Sequence, residues 1–343
     1  MDFPAFDGHN DAITRDDWDG LVTGRGGHLD LPRMRTGNVH GGIFAVFSPS
    51  KEMSWEPLSP NSSVTEIEFA SELEHPEAFT HASAAAERLL SFERSGHLRV
   101  AREIEDIDAA YAENTLPTAV LHLEGAEAID ANHENLDHWY ETGLRSLGPV
   151  WSRPNAFAHG VPFISPSSPD IGPGLSGAGD KLVRRCAELG ILIDLSHMNE
   201  AGFWDVARIN AGPLVASHSG AHHLCPASRN LTDEQLKAIG AGDGLVGIVF
   251  ATEFLRPDFA SNADTPLQLI VEQMRYVSEL IGVEHVSLGS DFDGAVVPEE
   301  LSDVAGIPRL LNALADSGFT GDEIAAIAWH NWRRVLGAWW QRR

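Results

Sequence analysis

A histidine and an aspartate stand two residues apart in the stretch Phe6-Asp7-Gly8-His9-Asn10-Asp11. On an extended strand Asp7, His9 and Asp11 point the same way. A neutral imidazole beside a carboxylate is a ligand pair for a borderline divalent cation such as zinc. An isolated pair of this kind is commonly just a hydrogen-bonded strand end, so it decides little alone. The pattern recurs down the chain. Leu121-His122-Leu123-Glu124 ends on an acid, Ile193-Asp194-Leu195-Ser196-His197 and Val215-Ala216-Ser217-His218 end on histidines, and Leu288-Gly289-Ser290-Asp291 ends on an acid again. Three histidines and three carboxylates exceed what one tetrahedral ion needs with a water position left open. Two ions sharing one carboxylate fit better; such pairs sit about 3.5–4 Å apart and hold a bridging hydroxide whose pKa they lower. Glu124, central in chain order, is assigned the bridge. His9 and Asp11 are expected on one ion, His197 and His218 on the other. Asp291 is left to take a proton as hydroxide attacks a carbonyl and to deliver it to a leaving amine.

The elements that must carry these groups are short apolar runs alternating with helical stretches. Strands are expected near residues 8, 45, 121, 147, 194, 215, 247 and 288, with helices between most of them. Such alternation means parallel strands. Eight units in this length predict an α/β fold, a single (β/α)8 TIM barrel over residues 1–343, with no internal linker. In such a barrel the active site sits at the C-terminal ends of the strands, where the six groups would gather. A doubly wound open sheet is the alternative, but no glycine-rich phosphate loop follows the first strand. Helices are expected at 81–92, 103–113, 135–142, 178–189, 200–209 and 266–281; Gly190 is placed as a C-terminal cap, and Thr232 with Gln235 as a capping box. Residues 49–78 show no clear period and are read as a functional loop or lid.

The 343 residues are 43% hydrophobic and 22% charged, an ordinary globular composition, with a formal net charge of −26. A chain this acidic repels phosphate backbones, so no nucleic-acid partner is expected. Cys186 and Cys225 make no disulfide framework and no zinc-knuckle spacing. No basic and apolar leader opens the chain, and no run approaches the length that spans a membrane. A reduced, cytoplasmic protein without a membrane partner is expected.

Taken together, Asp7-Gly8-His9-Asn10-Asp11, Glu124-Gly125, Ile193-Asp194-Leu195-Ser196-His197, Ser217-His218-Ser219, Arg229-Asn230 and Gly289-Ser290-Asp291-Phe292-Asp293-Gly294 resemble, in order and interval, the renal (membrane) dipeptidase family of dizinc metallopeptidases. The resemblance runs from residue 6 to about 336. It implies a (β/α)8 barrel with two Zn2+ ions: His9 and Asp11 on one, Glu124 between both, His197 and His218 on the other. It places Asp291 on the proton-transfer acid and Arg229 on an arginine that binds the substrate carboxylate, a role suited to a guanidinium fork. It further implies cleavage of dipeptides with a free C-terminal carboxylate, acceptance of a D residue at that position, and a homodimer. One position departs. Many members carry a substrate-contacting histidine at the end of the fourth strand, and here Trp151 stands there. Indole donates one hydrogen bond and carries no charge, so Arg153 or His159 is a candidate replacement. The rival activity is hydrolysis of another amide or a lactone, for example an N-acyl amino acid, on the same metal pair. A non-catalytic binding protein with the same fold is the rival outside enzymes.

His122 shares the inward face of Glu124 and is expected to bond within the barrel or to a ligand. Asp7 and Asp293 are read either as groups that orient ligands or as turn residues. His222 and His223 are expected in solvent. Trp329, Trp332, Trp339 and Trp340 lie at roughly helical spacing and are expected in the core or at a subunit contact.

Overall fold

The computed structural model describes residues 3–50, 70–112 and 116–341. Its strands are β1 (Ala5–Asn10), β2 (Val39–Phe47), β3 (Arg99–Val100), β4 (Thr118–Glu124), β5 (Leu144–Gly148), β6 (Leu192–Ile193), β7 (Val215–Ser219), β8 (Leu245–Ile248) and β9 (Val286–Leu288). All ladders among the described residues are parallel. One sheet runs β1-β2-β4-β5-β6 with β3 beside β4, and the other runs β7-β8-β9. The strands are apolar on both faces because helices cover one side and other strands the other. β1, β4, β5, β7, β8 and β9 are buried along their whole length.

The two sheets approach at both edges. Asp194 bridges Val215 and Asn10 bridges Phe292, each in parallel sense. The Leu195 N–H donates to the Val215 carbonyl at 2.7 Å, and the Asp11 N–H to the Phe292 carbonyl at 2.8 Å. The result is an α/β fold whose curled parallel sheet is TIM-barrel-like. Crowding on its inner side excludes side chains in places: a Cβ on Gly289 would lie 2.0 Å from the Ser217 carbonyl oxygen.

The eight expected strands are present, and the two-residue β3 is added because its brief pairing carries no alternating pattern to read. The run 191–197 is strand only at Leu192–Ile193. Asp194 accepts the Ser196 N–H at 3.0 Å, a side-chain turn that competes with the ladder. Helices follow the expected order. The first long one spans His75–Arg94 rather than beginning at residue 81; Pro76 opens it, and its polar first turn hides the helical period. Residues 75–78 therefore belong to that helix and not to a loop, while 51–69 of the expected lid lie outside the described residues. Gly190 caps Gly177–Leu189 with φ 75°, and the Thr232–Gln235 box opens Asp233–Ala241 with both its hydrogen bonds. The terminal helix Asn331–Trp340 follows a π-helical turn at Ala326–His330. Trp329, Trp332, Trp339 and Trp340 are all buried in the chain's own core, and Trp332 Nε1 donates to the Leu288 carbonyl at 2.9 Å.

Candidate metal centre

Glu124 closes β4, and its Oε1 is where three imidazoles converge. His197 Nε2 lies 2.8 Å from it, His218 Nε2 3.4 Å and His9 Nε2 3.6 Å. Asp11 Oδ2 is 3.7 Å from the same His9 nitrogen. Ligand-type atoms of His9, Glu124 and His218 lie within 4.8 Å of one another, as do those of His9, Asp11 and Asp291. All six residues singled out by type and spacing are therefore brought together. His9 and Glu124 stand on strands, and His218 on β7. His197 and Asp291 stand instead on turns just beyond β6 and β9, with φ of 66° and 61°. Left-handed backbone at non-glycine residues is uncommon and marks positions held by their surroundings. Gly294 completes the second turn; a Cβ there would meet Asp11 Oδ2 at 2.3 Å and Asp291 Oδ1 at 2.6 Å.

A neighbouring hydroxyl fixes the tautomer of His218. Ser217 Oγ donates to Asp194 Oδ2 at 2.5 Å, so towards His218 Nδ1, 2.8 Å away, it can only accept. His218 must then carry its proton on Nδ1 and expose a lone pair at Nε2. Ser152 Oγ lies 2.8 Å from His197 Nδ1, a pair in which either atom can donate. The two Nε2 atoms face each other at 3.0 Å. Where His197 takes the same tautomer as His218, two lone pairs face each other beside a carboxylate oxygen, and a cation among them relieves the repulsion. His9 Nε2 is buried and without a hydrogen-bond partner. The donor set thus fits divalent metal on the chemistry of its own atoms.

The electrostatics agree. Burial holds His9, His197 and His218 well below the usual imidazole range, with Arg229 adding to each shift, so all three are neutral, the form that binds metal. Burial raises Asp11 and Glu124 well above the carboxylate range, and mutual repulsion, including that of Asp291, raises them further. Asp291 is pushed up to about 6 by burial, partly offset by Arg229. Without added positive charge this nest cannot hold its three carboxylates ionised; bound dications invert that balance.

Arg229 lies beside the nest, fully enclosed. It donates from Nη1 to Ser219 Oγ at 2.9 Å and from Nη2 to the His218 carbonyl at 2.8 Å, while its buried Nε has no partner. Trp151 stacks near His197, ring centroids 5.7 Å apart, and against Phe47 at 4.9 Å. Arg153 does not turn to the site: its guanidinium donates to Glu127 Oε1 at 2.7 Å, Ser50 Oγ at 3.0 Å and the Ser48 carbonyl at 2.7 Å. His122 bonds Ser146 Oγ at 2.8 Å and lies 3.6 Å from Asp194. Asp7 accepts from Ser290 N–H and Oγ at 2.9 and 2.8 Å, tying β1 to the turn that carries Asp291. Asp293 accepts the His28 and Leu29 N–H groups and Arg15 Nη1, and so anchors the loop after β1. His222 is half-buried on the Ser167 carbonyl, and exposed His223 stacks on Tyr276. Ser152, Asp194 and Ser217 were not singled out by sequence. Their one signal was adjacency: Ser217 immediately precedes His218, and Asp194 precedes His197 by three.

Comparison with known proteins bears on this geometry. A metallopeptidase from Rhodobacter sphaeroides, crystallised with a phosphinate mimic of the dipeptide L-Ala-D-Ala, is 40% identical and superimposes with a TM-score of 0.95, over 99% of this chain and 100% of that one. The dipeptidase aclJ of Aspergillus oryzae is 30% identical over 322 residues, 91% of this chain and 70% of its own length. An uncharacterized protein from the pqqA 5′ region of Klebsiella pneumoniae is 46% identical over 248 residues, 72% of this chain and 91% of its own. Residues 1–341 match the profile of membrane dipeptidase, peptidase family M19. With its metal-ready nest and a family match over almost every residue, the chain belongs to the membrane dipeptidase family, a family of metal-dependent dipeptidases.

Proposed function

We propose that the chain hydrolyses dipeptides bearing a free C-terminal carboxylate, using two zinc ions at the C-terminal mouth of one complete (β/α)8 barrel formed by residues 1–343. The edge bridges Asp194–Val215 and Asn10–Phe292 support the closed barrel, and one core drawing on residues from Ala5 to Trp340 supports a single domain. The observation that carries the reading is the meeting of His197 Nε2 and His218 Nε2, 3.0 Å apart, on Glu124 Oε1.

In this reading Glu124 would be shared by both ions, His9 and Asp11 would hold one, and His197 and His218 would hold the other. When bound, the ions would activate water at neutral pH and polarise the scissile carbonyl. The chain's own residues do the rest. Arg229 takes the substrate carboxylate through its unpartnered Nε, since a buried guanidinium donor is costly to leave unpaired. Asp291, beside Asp11, accepts the proton of the attacking water and returns it to the leaving amine. Burial of the nest excludes bulk water and strengthens each of these contacts. Acceptance of a C-terminal D residue belongs to the same proposal, supported by the ligand of the Rhodobacter relative. No helix among the described residues is long and apolar enough to cross a membrane. Two buried free thiols, Cys186 and Cys225, support the proposed cytoplasmic location. A homodimer is proposed on the resemblance alone, because the C-terminal tryptophans are committed to the core.

Trp151 favours a second reading. With no histidine there, another amide, such as an N-acyl amino acid, is the alternative substrate. The deciding experiment is a panel of L-L and L-D dipeptides alongside N-acyl amino acids, assayed with metal content measured. Dipeptide turnover that tracks zinc supports the first reading; turnover of N-acyl amino acids alone supports the second.

A further inference from the structure

A small apolar cluster stands apart from the main core. Phe254 packs there with Cys225, Val249 and Ala251, and Phe163 and Phe259 close over it. Its position is the informative feature. Phe163 is half-buried, with its ring 6.1 Å from the His197 ring and 5.6 Å from Trp151. Phe254 lies 5.5 Å from Phe163, and the Arg229 guanidinium sits 5.7 Å over the Phe254 ring. Trp151, Phe163 and Phe254 therefore form a continuous aromatic strip from His197 to Arg229.

That strip runs between the two groups that the substrate must touch. On the dipeptidase reading, on which this step rests, the scissile amide lies at His197 and Glu124 and the carboxylate at Arg229. The part of the substrate between them is its C-terminal residue, whose side chain leaves from the atom midway. We infer that the Phe163–Phe254 strip is the specificity surface for that residue and that it selects a large apolar side chain. Polar and charged side chains would lose water against the rings and gain no partner. An apolar one packs on the half-buried Phe163 ring, which the buried Trp151 and Phe254 hold in place, and apolar sites of this kind discriminate about 10-fold or more per methylene group.

The test uses zinc-loaded enzyme and alanyl dipeptides ending in Gly, Ala, Leu, Phe, Asp or Lys, in both L and D forms. The expected result is the highest kcat/KM for Leu or Phe in the accepted configuration, with Gly, Asp and Lys at least about 10-fold lower. Phe254→Ala and Phe163→Ala should each lower the Leu-to-Ala ratio of kcat/KM several-fold. Phe254→Leu and Phe163→Leu, which keep an apolar surface, should largely retain it. Using a ratio within one variant separates specificity from loss of folded enzyme. Preference for a charged terminal residue, or an unchanged ratio in both alanine variants, overturns the strip and leaves the dipeptidase reading standing. No hydrolysis of any dipeptide in the panel overturns both.

Discussion

Ser217 Oγ stands 2.5 Å from Asp194 Oδ2 and 2.8 Å from His218 Nδ1, and so joins a strand-end carboxylate to the candidate metal ligand that follows Ser217 in sequence. Asp194 also accepts the Ser217 and Ser196 N–H groups at 2.8 and 3.0 Å, which locks the hydroxyl's direction. Ser217→Ala should therefore weaken metal binding about 10–100-fold, the usual effect of losing a partner that orients a ligand. Ser217→Thr should keep most of the affinity. Competition against a chelator measures both; equal affinity in Ser217→Ala and the parent would remove this serine from the metal site.

Glu124→Gln should lose at least one of two metal equivalents, because the point shared by three imidazoles then offers an amide in place of a charge. Metal analysis of dialysed protein reads this directly. Two full equivalents in the variant would rule out the bridging role.

Asp291→Asn keeps shape and removes the proton carrier. Metal content should hold while kcat falls about 10²–10⁴-fold. Near-normal turnover at full metal loading would take Asp291 out of the mechanism.

Arg229→Ala should lower kcat/KM for free-carboxylate dipeptides about 10–100-fold through KM, the value of a charge-assisted hydrogen bond. C-terminally amidated dipeptides provide the control, since Arg229 also supports Ser219 and the His218 carbonyl. An equal loss on both substrates would assign it a purely structural role.

Glu253, in the short helix after β8, is pushed up to about 7 by burial, and the charge of Asp291 adds to the shift. A raised folded-state value favours the protonated form. Its contribution to stability is complete below about 4.5, the ordinary value, and is lost as pH rises through about 7. Glu253→Gln should therefore raise stability at pH 8 by at most about 3 kcal/mol and change little at pH 4. Thermal unfolding at the two pH values measures the difference, and a shift of equal size at both would exclude the ionisation as its source.

The candidate site was legible in sequence to an unusual depth because each of its groups ends an apolar run. A strand buried on both faces must be apolar, so a polar residue at its end stands out, as at Glu124 and His218. The same reasoning found the strands but misjudged 191–197, where the Asp194 side chain takes the Ser196 N–H and stops the ladder. It also placed the helix start at 81, since the polar turn behind Pro76 carries no apolar period.

By itself, then, the sequence determined the candidate ligand set His9, Asp11, Glu124, His197 and His218 with Asp291 as candidate proton carrier, the parallel α/β class and the exception at Trp151. These are properties of residue type and local spacing, which the chain carries wherever it goes. Tertiary structure decided the rest: that Arg153 belongs to Glu127, that Ser217 sets the His218 proton, and that Phe163 and Phe254 join His197 to Arg229. Those contacts link residues far apart in the chain or depend on the direction of a single hydroxyl, and only closure of the fold fixes either.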